Sequence, residues 1–84
     1  MRKTRIMLGS NREVWWDGLA LLLKQSGDFE IVATTYDARD IIDRANELKP
    51  DVILMDNDIK GGCSEVTRVL GEKHPEIKVI LVIK

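Results

Sequence analysis

Lys49-Pro50-Asp51-Val52-Ile53-Leu54-Met55-Asp56 is the stretch that decides the fold. The residue before a proline is pushed out of the helical region, so Lys49-Pro50 closes whatever helix precedes it. An unbroken apolar run from Val52 to Met55 follows, too short for a helix and of the kind found in strands buried on both faces of a parallel sheet. Asp56 then falls at the strand's carboxyl end. In open α/β sheets that rim is where ligands and chemistry gather.

Outward from this run, strand and helix patterns alternate. Arg5 to Leu8 is a short strand that ends at Gly9-Ser10-Asn11. Val14, Trp15, Gly18, Leu19, Leu22 and Leu23 are then spaced to share one broad helical face, which predicts that Trp15 is buried beside Leu19 and Leu22. Trp16 is adjacent to Trp15, so the two cannot both face the core, and it has Ala20 and Leu23 four and seven residues on. It is either an exposed interface anchor or an indole lying flat on its own helix. Ser26-Gly27-Asp28 stops this helix, and Phe29 to Thr34 is a second strand. Asp37 caps a second helix whose stripe is Ala38, Ile41, Ile42, Ala45 and Leu48. After the third strand comes the Lys60-Gly61-Gly62 loop, then a helix over about 64–73 carrying Val66, Val69 and Leu70. His74-Pro75 closes that helix, with His74 placed to favour its dipole, and Lys78 to Ile83 is a fourth, strongly apolar strand. This βαβαβαβ order predicts an α/β parallel sheet with right-handed crossovers and helices on both faces.

Composition narrows the function. Eighty-four residues with 44% hydrophobic and 32% charged content make a single globular domain over 1–84. A net charge of −1 argues against direct nucleic-acid binding by this segment. No apolar run reaches the length of a membrane span and no signal peptide is evident, so a cytoplasmic location is expected. Cys63 is the only cysteine, which excludes an internal disulfide. Cys63 reads as a loop thiol, separated from His74 by a whole helix, and the two do not make a nucleophile and base. Asp56-Asn57-Asp58 with Gly61 fails as a calcium loop at Lys60 and Thr67, and Gly61-Gly62 lacks the remainder of a phosphate-binding loop. The glycines serve a turn at positive φ. No enzyme activity is expected.

Thr4 to Leu8, Asp17-Gly18-Leu19 with Leu21-Leu22-Leu23, Glu47 to Asp56, Glu65-Val66-Thr67-Arg68 and His74 to Ile80 together resemble the receiver domains of two-component response regulators, of the NarL/LuxR class. The similarity spans nearly the whole chain. It implies a flavodoxin-like sheet, here with strand order 2-1-3-4 and cut short after the fourth strand, lacking the last strand and two helices. It also implies that Asp56 corresponds to the aspartate that a histidine kinase phosphorylates.

The resemblance then marks departures. The acidic pair that would hold magnesium corresponds to Ser10 and Asn11, and the hydroxyl-bearing position at the end of strand four corresponds to Ile83. The family's lysine after a fifth strand has no counterpart, and Lys84 is not its equivalent. Asp58 compensates in part for the lost charge. Magnesium prefers octahedral oxygen donors that include carboxylates, so only weak binding at Asp56 and Asn11 is expected, with no required cofactor. The expectation is a degenerate receiver, or pseudo-receiver, working in signal transduction or transcription control by protein association, as a dimer or with another chain. The alternatives are an active phosphoacceptor at Asp56 and a stand-alone interaction module. The apolar fourth strand at a sheet edge predicts self-association or completion by another polypeptide, through Val79, Ile80, Leu81 and Val82, with Trp16 as a second interface candidate.

Overall fold

The computed structural model describes residues 3–10 and 13–82, and the side chains of residues 13–17, 20 and 23 fall outside that description. Strands and helices alternate as β1 (Thr4–Gly9), α1 (Glu13–Ser26), β2 (Phe29–Thr35), α2 (Ala38–Leu48), β3 (Val52–Asp56), α3 (Cys63–Lys73) and β4 (Lys78–Val82). All strand pairs are parallel, and the sheet order is β2-β1-β3-β4, as the alternating pattern requires. β1 and β3 are the inner strands.

Two apolar layers sandwich the sheet. On one face Met7, Ile53 and Met55 pack with Ala38, Ile41 and Ala45 of α2 and Val66 and Leu70 of α3, closed below by Ile59 and Ile77. The expected α2 stripe is therefore the core stripe, with Ile42 and Leu48 half-buried at its margin. On the other face Ile6 and Leu8 pack with Leu19, Phe29, Ile31, Val52, Leu54 and Val82.

Local chemistry sets the element ends. Asp37 caps α2, its Oδ1 accepting from the Arg39 N–H at 2.8 Å. At the other end Lys49 takes the left-handed conformation (φ 47°) and returns its N–H to the Ala45 carbonyl, so the chain turns before Pro50. Arg5 reaches across from β1 to the same end, Nη1 donating to the Leu48 carbonyl at 2.7 Å and the Lys49 carbonyl at 3.1 Å. His74 caps α3 through its N–H to the Leu70 carbonyl, and its Nε2 lies 2.6 Å from Asn46 Oδ1 of α2.

Two sequence expectations are corrected. Leu22, assigned to the buried face of α1, is 66% exposed, and Gly18 is exposed as well. Helical spacing identifies residues that share a face but not what covers it, and α1 packs chiefly along the edge strand β2. Cys63 is not a loop residue but opens α3, half-buried against the α2–α3 core. The burial expected for Trp15 concerns a side chain outside the described residues.

Candidate functional site

The carboxyl rim of the sheet gathers the ends of β1, β2 and β3. Gly9 is paired with Thr35 on one side and Met55 on the other, so Ser10 leaves β1 directly beside the end of β3. The Ser10 N–H donates to the Thr35 carbonyl at 2.8 Å, which fixes where its side chain begins. The Ser10 hydroxyl then donates to Asp56 Oδ2 at 3.3 Å, and the Asp58 N–H donates to Asp56 Oδ1 at 3.0 Å. Ser10 and Asp56 are both fully buried. Burying a carboxylate is costly unless hydrogen bonds replace its water, and each of its oxygens here has a protein donor.

The loop after Asp56 is tied down on both sides. The Asn57 N–H donates to the Val82 carbonyl at 3.3 Å, joining the rim to β4. Ile59 turns into the core, and Lys60 pairs with the segment after β2 through Lys60 N–H to the Tyr36 carbonyl (3.1 Å) and Ala38 N–H to the Lys60 carbonyl (2.8 Å). Gly61 and Gly62 follow at φ 92° and 86°. A Cβ on Gly61 would also stand 3.1 Å from Ala38 Cβ, so both backbone hand and space favour glycine there.

Of the residues singled out in the sequence, the structure brings Ser10, Asp56 and the Asp58 backbone into one hydrogen-bonded group, with the Asp58 side chain exposed at its margin. Asn11, Ile83 and the side chain of Trp16 lie outside the described residues. Val79, Ile80, Leu81 and Val82 lie in β4, away from the buried carboxylate except where Val82 neighbours Asp56 in register. Sequence reasoning missed Thr35, a buried residue at the end of β2. Its carbonyl holds Ser10, and its hydroxyl donates to Asp40 Oδ2 at 2.5 Å. It also missed the pairing between Lys60 and the 36–38 segment, since backbone bonds between loops carry no side-chain signature.

Magnesium, which the fold family implies, fits the described donors poorly. Asp56 is enclosed with both oxygens accepting hydrogen bonds, and its neighbour Ser10 offers a neutral hydroxyl. Among the described residues no three His, Cys, Asp or Glu side chains converge as metal ligands. A separate groove of about 420 Å³ runs between α2 and α3, lined by residues of both signs that include Arg39, Asp43, Glu65 and Lys73. None of Ser10, Asp56 and Asp58 lines it.

A parallel sheet of order 2-1-3-4 with an aspartate at the end of its third strand defines a flavodoxin-like receiver fold. Comparison with known proteins agrees. The chain is 33% identical over 79 residues to the response regulator GacA of Pseudomonas viridiflava, covering 93% of this chain and 37% of that protein. It is 31% identical over 81 residues to the transcriptional regulatory protein DegU of Brevibacillus brevis, covering 95% of this chain and 34% of the relative. Among solved structures, a DNA-binding response regulator of the LuxR family from Staphylococcus aureus superposes with a TM-score of 0.87 at 31% identity, over 95% of this chain and 68% of that one. The receiver domain of the response regulator NarL from Mycobacterium tuberculosis superposes with a TM-score of 0.92 over 99% of this chain and 68% of that one; at 21% identity it supports the fold alone. No protein-family model matches the chain.

The chain belongs to the receiver domains of NarL/LuxR-type response regulators. It spans about a third of the length of the curated relatives it matches. No helix among the described residues is long and apolar enough to cross a membrane.

Proposed function

We propose that this receiver domain serves signal transduction and transcription control through association with other protein chains, with little or no phosphoryl chemistry at Asp56. The observation that carries this reading is the enclosure of Asp56 with a neutral hydroxyl donating to one carboxylate oxygen and the Asp58 N–H to the other. Phosphoryl transfer to a carboxylate depends on cations and positioned donors that neutralise the charge of the transferring oxygens. With Ser10 and Asn11 in place of acids, the rim holds less negative charge with which to gather a divalent cation. Asp56 here orders the loop that leads into α3 through the Asp58 N–H. It is a structural carboxylate and not a nucleophile, and the domain is not an enzyme.

The partner is a protein chain, with no direct contact to nucleic acid by this segment. A histidine kinase remains the phosphoryl donor in the competing case, a working phosphoacceptor at Asp56. Incubation with acetyl phosphate and magnesium followed by intact-mass measurement tests the proposal. The expected result is an unchanged mass, and a stoichiometric acyl phosphate on Asp56 overturns it.

A further inference from the structure

α2 and α3 lie side by side on one face of the sheet, and the groove between them is walled by described residues alone. Both helices link parallel strands, so they run in the same direction. They also start level and stay together. The Ala38 N–H donates to the Lys60 carbonyl at 2.8 Å, and at the far end His74 Nε2 lies 2.6 Å from Asn46 Oδ1. A strand added beside β4, with the crossover helix that reaches it, would abut α3 on the side away from α2. Extending the sheet therefore leaves this groove uncovered.

Charges alternate along it. Ile42 and Val69 are half-buried in its floor. Around them stand Arg39 towards the carboxyl rim, Asp43 midway and Lys73 beside Asn46 at the far end. None of these three charged side chains makes an ion pair among the described residues.

The outer ridge of α3 carries the opposite series. Glu65, Arg68 and Glu72 are exposed at i, i+3 and i+7, so they share one line along the helix. Arg68 lies 2.8 Å from Glu65 and 3.7 Å from Glu72, which keeps the three in acid–base–acid order. Exposed pairs of this kind are worth little, so a facing surface can share them at small cost. Register fits as well. Asp43 and Arg68 are each the sixth residue of their helix, Arg39 and Glu65 lie in first turns, and Glu72 and Lys73 lie in the last turn of α3. A two-fold axis along the helices seats each α3 over the other copy's groove with no shift along its length, so residues at one level meet. Arg68 of one copy then faces Asp43 of the other, Glu65 faces Arg39, and Glu72 faces Lys73.

We propose that two copies of this chain associate through the α2–α3 surface, each seating its Glu65-Arg68-Glu72 ridge in the other's groove, with Asp43 paired to Arg68 at the centre. The proposal rests on the association reading above and names its partner. Complementary charge sets the register, and the half-buried Ile42 and Val69 lose their remaining contact with water.

Sedimentation of the full chain tests it. The unaltered chain should dimerise at micromolar concentration, and added salt should weaken the dimer. Asp43→Arg and Arg68→Asp should each raise the dimer dissociation constant about tenfold or more, because each sets like charges against one another twice per dimer. Both positions are exposed, so circular dichroism should show both variants folded. Mixing the two variants should restore a one-to-one dimer, since one then offers a cation at both positions and the other an anion at both. A folded monomer at high micromolar concentration, or a mixture no more associated than its parts, overturns the proposal. A dimer indifferent to both substitutions also overturns it and assigns the association to another surface. The acetyl phosphate result is independent of these outcomes, so failure of the pairing and failure of the quiet-site reading are read separately.

Discussion

The Ser10 hydroxyl donates to Asp56 Oδ2 at 3.3 Å within a fully buried pair. Replacing that donor with a second acid reverses the electrostatics of the rim. Ser10→Asp should lose about 3 kcal/mol of folding stability in the absence of divalent cations, because two carboxylates then share a buried site. Magnesium should restore part of the loss by binding the folded state alone. Urea titrations with and without magnesium check this: the midpoint of Ser10→Asp should rise with the metal while that of the unaltered chain stays fixed.

The second test concerns the end of α2 that feeds the decisive strand. Arg5 Nη1 donates to the Leu48 and Lys49 carbonyls, and the Arg5 N–H donates to Asp51 Oδ2 at 2.8 Å. Arg5→Ala keeps the backbone bond and strips the helix end of its cationic donor. The expected cost is about 2 kcal/mol, since hydrogen bonds from charged groups to otherwise orphaned helix carbonyls are among the stronger ones. A domain of this size should melt roughly 10 °C lower, which calorimetry measures directly.

These two sites differ in how far sequence exposes them. The Val52–Met55 run, the Asp37 cap and the Ala38-Ile41-Ala45 stripe were legible because each rests on local spacing, and Asp56 followed from its place at a strand end. α1 was misread at Leu22 because periodicity cannot say that a helix lies along the sheet's margin. Arg5 gave no sign of its role, since its partners are backbone carbonyls more than forty residues away (separations of 43 and 44). The same holds for the Thr35 carbonyl that holds Ser10 and for the Lys60 pairing at the rim: these are main-chain bonds between distant segments, and the residue types involved are indifferent to them.

Lys49 carries the only non-glycine positive φ among the described residues, 47°. A left-handed residue at a helix end is the position where glycine is least strained. Lys49→Gly leaves its N–H bond to Ala45 and its carbonyl's bond to Arg5 intact. It should therefore stabilise the domain by about 0.5–1 kcal/mol, less the added freedom of the unfolded chain, and raise the melting temperature by a few degrees. Lys49→Ala, which has a Cβ, should give no such gain, and this contrast separates backbone relief from loss of the lysine charge.

The last test addresses how α2 sits on the sheet beside the rim. A Cβ built on Gly9 would come within 2.7 Å of Ile41 Cδ1, a distance that forces one of them to move. Ile41 is fully buried, so its terminal methyl has no open space to swing into. Gly9→Ala should cost about 1–3 kcal/mol through overpacking. Ile41→Val deletes the obstructing methyl and alone should cost about 1 kcal/mol. Because valine leaves the room that the new methyl needs, the double variant should be more stable than the sum of the two losses by about 1 kcal/mol or more. Additive losses in denaturant titration would mean that the close approach of Ile41 is not what excludes a side chain at Gly9. The position of α2 would then depend on Arg5 and Asp37 at its two ends more than on contact at its middle.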